Sequence, residues 1–240
     1  MTGRVVFVCA MPMEMAPLRR RLSLRTGDSR PPQLFDGVLD GTPVGAMTTG
    51  MGPTLARLGL DRLFQAVEVE RVVVVGITGA VDDDTPIGTV VLPEKVIDGA
   101  TGTAYRPHPL GGADHAGTMW TTDELITDPA RIASLRAQGV VALDMETAAI
   151  GAACDARGLP WSVVRVISDR ANDGSVDQEL FAMSNQDGTP NAGAVLSYVV
   201  RHPNRLPTLA RMGRQVRAAT RLAADRAVDA VHRQWRAEES

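Results

Sequence analysis

The stretch from Val141 to Asp169, VALDMETAAIGAACDARGLPWSVVRVISD, constrains the fold of this chain more than any other. It reads as a short strand, a helix, a turn and a second strand. Asp144, Met145 and Glu146 stand where the first strand gives way to the helix. Ala148, Ala149, Ala152 and Ala153 are small helix formers that permit close packing on a sheet. Gly158 followed by Pro160 supplies the helix stop. Trp161 to Ile167 is an apolar strand interrupted by Arg165, with Ser168 and Asp169 just past its end. In open α/β sheets ligands bind outside the carboxyl ends of the strands. The stretch therefore gathers a Met, three carboxylates, an Arg and a Ser around one crevice. An Arg inside an apolar strand needs a carboxylate or another acceptor, and Glu146 is the obvious candidate.

The rest of the chain supplies the sheet this crevice requires. Arg4 to Ala10 is a β-branched run that reads as a buried strand. It leads into Met11-Pro12-Met13-Glu14, with Pro17 placed for the first turn of a helix through about Leu24. Glu14 thus lies in a loop at the carboxyl end of the first strand, or at the start of the helix. Leu34 to Leu39 and Val44 to Thr49 form a hairpin pair across Asp40-Gly41-Thr42-Pro43. Gly50-Met51-Gly52 then permits close backbone approach to a ligand, ahead of a helix from Pro53 to about Val67. Arg71 to Val75 is an almost pure Val strand, as expected for a sheet covered on both faces. It ends in Gly76-Ile77-Thr78-Gly79-Ala80-Val81, which is neither a dinucleotide fingerprint nor a phosphate-binding loop but leaves backbone N–H groups free to face a bound molecule.

Farther on, Gly88 to Leu92 reads as a strand, Gly99 to Gly117 as loop, Trp120 to Asp128 as a bridging segment and Asp128 to Gln138 as a helix. Asp82 to Asp84 reads as a solvated acidic turn. His108 and His115, seven apart in a loop, are a weak metal signal, and neither a metal nor a cofactor is expected. Ala171 to Asn191 is polar, Ala192 to Arg201 reads as a short helix, and Leu206 to Arg236 carries apolar residues at helical spacing beneath a basic outer face. The alternation of strand and helix describes a single α/β domain, with residues 204–240 a C-terminal amphipathic helix packed on the domain formed by residues 1–203.

Composition narrows the partners. The 240 residues carry a net charge of -3 with 4% aromatics, which argues against nucleic acid or an anionic membrane. Cys9 and Cys154 sit among apolar or small residues and read as buried free thiols of a reducing compartment. The run from Val5 to Ala10 is too short for a signal peptide, and no apolar run approaches a membrane span. A cytoplasmic location is expected.

These residues together resemble the purine nucleoside phosphorylase and nucleosidase superfamily, most closely the bacterial methylthioadenosine/S-adenosylhomocysteine nucleosidases. Four segments carry the resemblance: Val6–Leu18, Gly50–Gly52, Val72–Val81 and Leu143–Asp169. Met145-Glu146 followed by Arg165-x-x-Ser168-Asp169 is the most specific of them. The resemblance implies a central mixed, partly barrel-like β-sheet flanked by helices, a homodimer or larger homo-oligomer, and cleavage of an N-ribosidic bond in a purine nucleoside. It implies that Glu14 activates water and that Asp169 protonates the purine at N7, with Ser168 placing it. It further implies that Met145 and Glu146 hold the ribose and that Arg165 orders the region of the nucleophile. Gly52, Thr78 and Gly79 belong to the binding loops, Leu125 and Ile126 frame the base, and Tyr105 reaches into a neighbouring subunit's site.

Such a bond breaks through an oxocarbenium-like state. The departing base needs a proton, the water needs a base, and the cationic sugar gains from a nearby negative charge. Phosphorylase relatives bracket the position of Gly76 with an Arg and a Ser. Here Val74 and Ile77 stand there, and neither binds phosphate through its side chain, which favours hydrolysis. Arg19 or Arg20 could still supply charge for a phosphorylase. Ile77 also departs from the small hydroxyl residue of the nucleosidases, for which Thr78 could compensate. The loop from Gly99 to Trp120 is short for the family, and the basic C-terminal helix is not typical of it. A 5′-substituted adenosine such as methylthioadenosine or S-adenosylhomocysteine is the expected substrate. A non-catalytic nucleoside-binding relative is the rival from another class, and binding alone does not require all three acids.

Overall fold

The valines of the central strand divide between two cores. Val72 and Val74 pack with Val6, Val8, Leu60, Leu63, Ile150 and Trp161, whereas Val73 and Val75 pack with Phe7, Val164, Val166 and a row of alanines near the C-terminus. This is the period of two of a strand buried on both faces. The computed structural model describes residues 3–26, 33–171 and 201–238, and isolated positions at 185, 189, 191, 193, 197 and 198.

The strands are β1 (Arg4–Cys9), β2 (Arg25–Thr26), β3 (Leu34–Leu39), β4 (Thr42–Thr48), β5 (Val69–Ala80), β6 (Val90–Val91), β7 (Lys95–Asp98), β8 (Ala104–Tyr105), β9 (Thr118–Thr121), β10 (Val140–Asp144) and β11 (Trp161–Arg170). They form one mixed sheet in the order β2-β3-β4-β1-β5-β10-β9-β7-β8, with β11 pairing β5 and β6. β5 is the hub. Its first half pairs with β1 in parallel, its end pairs with β10 antiparallel at Gly79 and Ala80, and β11 runs beside it in parallel from Val72 to Ala80. The chain is thus a single α/β domain with a mixed sheet flanked by helices.

Two helices, α2 (Pro53–Ala66) and α4 (Thr147–Asp155), cover one face. Gly151 in α4 lies so close to Trp161 that a Cβ there would stand 2.6 Å from the indole ring. On the other face lie α1 (Pro12–Arg21) and α5 (Leu206–Glu238). The buried side of α5 is Ala219, Ala223, Ala224, Ala227, Val228, Ala230 and Val231, small residues that let this part of the 33-residue helix pack closely on the sheet. A further helix, α3 (Pro129–Ala137), is capped by Asp128, which accepts from the amides of Ala130 and Arg131.

Several expectations are corrected. Gly76 to Ala80 is not a turn but the continuation of β5, because β11 and then β10 supply ladder partners beyond Val75. Ser168 and Asp169 lie within β11 rather than past it. The stretch from Gly99 to Asp128, expected as loop and bridge, contains β8 and β9, strands of two and four residues, β8 held in a hairpin with β7 and β9 held by β7 and β10. The strand expected over Gly88 to Leu92 is only Val90–Val91. Most of the polar stretch Ala171–Asn191 and of the helix expected over Ala192–Arg201 lies outside the described residues. Cys9 and Cys154 are free and buried. Among the described residues, no helix is long and apolar enough to cross a membrane.

Candidate active site

Glu14 is held by the start of α1. As the third residue of the helix it turns back toward the chain before it. Its Oε2 accepts from the amides of Ala10 and Met11, both at 3.0 Å. Its Oε1 accepts from the Ile77 amide at 2.9 Å and lies 3.6 Å from Arg165 Nη1. The side chain is 1% exposed. Burial raises its pKa, while Arg165 and the three backbone N–H groups pull the other way. A Cβ on Gly76 would overlap Glu14 Oε1 and stand 2.5 Å from Arg165 Nη1. The glycine after the valine run is therefore needed for space.

Glu146 sits at the residue before α4. Its Oε1 accepts from the Gly52 amide at 2.8 Å, and its Oε2 lies 3.5 Å from Arg165 Nη2. Burial, and next the charge of Asp144, push its pKa up to about 8. Arg165 is drawn down by burial, but the opposing charges of Asp144, Glu14 and Glu146 outweigh this and raise it. Its first partner is not Glu146, as expected, but Asp144, at 2.6 Å. Asp144 ends β10 and points inward from a strand end, whereas Glu146 has already turned toward the Gly52 loop.

Asp169 reaches the site through a β-bulge. Ile167 pairs with Thr78 and Asp169 with the next residue, Gly79, so Ser168 is the extra residue. Bulges re-aim side chains beside functional sites. The Ser168 hydroxyl donates to Asp169 Oδ1 at 2.5 Å. A Cβ on Gly79 would stand 3.2 Å from Asp169 Oδ2.

Glu14, Glu146 and Asp169 line one cavity of about 330 Å³, within the range of small-molecule sites. Thr78, Gly79, Leu125, Ile126, Met145, Arg165 and Ser168 line it too. Gly52 is outside the lining but donates its amide to Glu146. Thr78 spends its hydroxyl proton on the Leu143 carbonyl at 2.6 Å. Tyr105 does not line the cavity; it lies on β8 opposite Val96. Residues the sequence reading left without a role also line it, among them Met11, Met51, Leu143, Arg170 and, from α5, Val216. No local pattern marks Val216. Asp144 did leave a signal, an Asp three residues before a Thr at a helix start; its Oδ2 accepts from the Thr147 amide at 3.0 Å.

The cations at the cavity are already engaged. Arg165 is bound to Asp144, and Arg170 Nε donates to the Thr85 carbonyl at 3.0 Å. Arg19 and Arg20 are exposed and do not line the cavity, and Arg19 lies over the Phe35 ring. An incoming phosphate dianion would meet Glu14 and Glu146 with little free positive charge to hold it.

Residues 4–114 and 110–201 match the family model of the phosphorylase superfamily. A 5′-methylthioadenosine/S-adenosylhomocysteine nucleosidase of Anoxybacillus flavithermus is 26% identical over 198 residues, spanning 70% of this chain and 85% of the relative. Among solved structures, a mutant of the Helicobacter pylori nucleosidase with 5′-methylthioadenosine in its active site superposes with a TM-score of 0.70 at 14% identity, covering 97% of this chain and 99% of the other. The Helicobacter pylori futalosine hydrolase gives 0.66 at 14% identity, covering 95% and 98%. At these identities the two structures speak for the fold.

Proposed function

Since the chain belongs to the phosphorylase superfamily, we propose that it hydrolyses the N-ribosidic bond of a purine nucleoside, with a 5′-substituted adenosine as substrate. The observation that carries this is the convergence of Glu14, Glu146 and Asp169 on one cavity whose buried cation, Arg165, is already paired with Asp144. The curated relative that bears the nucleosidase name supports the reading.

Each acid takes a separate task. Glu14, gripped by three backbone N–H groups that favour its anionic form, takes a proton from water as the water oxygen bonds to the anomeric carbon. The bond from that carbon to the purine nitrogen breaks, and its electron pair leaves with the base. Asp169, placed by Ser168, gives the base its proton. Glu146, fixed by the Gly52 amide, holds the ribose hydroxyls as the sugar becomes oxocarbenium-like. Met145 packs on the sugar, and Leu125 and Ile126 hold the base between apolar walls. Tyr105, on an outlying strand, serves a neighbouring subunit's cavity in a homodimer or larger homo-oligomer, and the enzyme works in the cytoplasm.

A panel of purine nucleosides differing at the 5′ position, followed by purine release, tests this. Release from at least one 5′-substituted adenosine is expected. Asp169→Asn should lower kcat by about 10²–10⁴-fold, the usual range for a general acid, with an unchanged melting curve. Silence across the panel, or a near-normal rate in that variant, contradicts the assignment.

A further inference from the structure

Asp144 has no part in the chemistry just described, yet it is the most heavily bonded side chain of the site. Its Oδ1 accepts from the Thr121 hydroxyl at 2.7 Å. Its Oδ2 accepts from the Thr147 amide at 3.0 Å, from the Thr147 hydroxyl and from Arg165 Nη2 at 2.6 Å. Oδ2 is thus fully engaged and Oδ1 keeps at most one of its two lone pairs, and the side chain is 2% exposed. Its partners come from three elements, β9, α4 and β11.

Arg165 carries the hold of Asp144 to the two acids. With Nη2 fixed by Asp144 and by the Thr147 hydroxyl at 3.1 Å, the planar guanidinium has one orientation. Nη1 is then set against the Ile77 carbonyl at 3.2 Å and Glu14 Oε1 at 3.6 Å. Nη2 itself faces Glu146 Oε2 at 3.5 Å. Both acids thus sit on a cation whose place is determined from behind. Resting on the hydrolase reading above, we propose that Asp144 is a positioning residue: it locks Arg165 between Glu14 and Glu146, and so sets where the water-activating and ribose-binding carboxylates stand and how much positive charge they share.

The second half of that role has its own signature. The charged groups at this spot are Glu14 from α1, Asp144 from β10, Glu146 before α4, and Arg165 and Asp169 from β11, with the buried thiol of Cys9 behind Glu14. Three carboxylates surround one guanidinium. Asp144 takes the closest approach and weakens what Arg165 offers the other two. Removing its charge frees Arg165 to favour the anionic form of Glu14, so the acid limb of the rate profile moves to lower pH.

The test is a double-mutant cycle on purine release by the full chain, with kcat, KM and the pH profile measured for each member. Asp144→Asn should lower kcat by about 10²-fold, the scale of a misplacement of about 1 Å, with KM little changed and the acid limb displaced to lower pH. In an Arg165→Met background, the same change should cost no further activity. Additive losses, or an acid limb that does not move, overturn the inference while leaving the hydrolase reading intact. If the wild type releases no purine, both fall. Should Asp144→Asn not fold, Thr121→Val removes one hydroxyl from the same carboxylate. It should lower kcat severalfold while Asp144 keeps its charge, so the acid limb should not move to lower pH; a wild-type kcat, or a limb displaced to lower pH, in that variant also overturns the proposal.

Discussion

A methyl group on Gly76 would overlap the Glu14 carboxylate and press on Arg165. Both groups are buried and held by hydrogen bonds and ion pairs that a shift would break. Gly76→Ala is therefore expected to cost about 1–3 kcal/mol of stability through overpacking. It should also lower kcat by about 10²-fold through misplacement of Glu14. Chemical denaturation and steady-state kinetics on the same preparation check both figures. Glu146 makes a different prediction. Its pKa rises from 4.5 to about 8 on folding, so between those values the folded chain holds a proton that the unfolded chain has lost. Stability is thus fully present below about pH 4.5 and declines as pH rises toward about 8, by at most about 1.4 kcal/mol per pH unit for this one group. Glu14, also raised by burial, contributes in the same direction. Glu146→Gln should flatten the decline, and urea midpoints at about pH 5.5 and about pH 8.5 for both proteins measure it. At this scale the candidate acids were legible because they stand beside strand ends and helix starts. The pairing of Arg165 with Asp144 rather than Glu146 was not, because side-chain direction at a strand-to-helix corner depends on what the neighbouring loop offers.

Among the elements, those read correctly carry their own local signals. The hairpin of β3 and β4 turns at Asp40 and Gly41, with φ of 50° and 82°, the left-handed pair that Asp-Gly favours. The helix α2 opens at Pro53 after Gly52, and α3 opens under the Asp128 cap. The elements missed have no such marks. β8 and β9 exist because β7 and β10 run beside them. The extension of β5 through Gly76–Ala80 exists because β11 and β10 complete its ladder. Glycines weaken a strand locally, yet here two of them make room for Glu14 and Asp169. The C-terminal helix belongs with the legible group, since Leu206 to Arg236 carries apolar residues at helical spacing, although its deepest burial is a stripe of alanines among them. That stripe also predicts intolerance to bulk. Ala227 is fully buried against the sheet, so Ala227→Leu should lower stability by about 1–3 kcal/mol. A thermal melt unchanged from wild type would show that α5 is less closely seated than described.

For the molecule as a whole, the decisive feature is that β5 pairs with β1, β10 and β11 at once. The ends of three strands far apart in sequence are thereby brought to one cavity, carrying Glu14 after β1, Glu146 after β10 and Asp169 on β11. The same arrangement lines the cavity with carboxylates and pairs Arg165 with Asp144, which is the basis of the proposal that water rather than phosphate is the nucleophile. The most direct test is the identity of the sugar product when a responsive 5′-substituted adenosine is turned over at saturating inorganic phosphate. The account predicts the free 5-substituted ribose, formed at the same rate with phosphate or without it. A ribose 1-phosphate product, or purine release that requires phosphate, would contradict it.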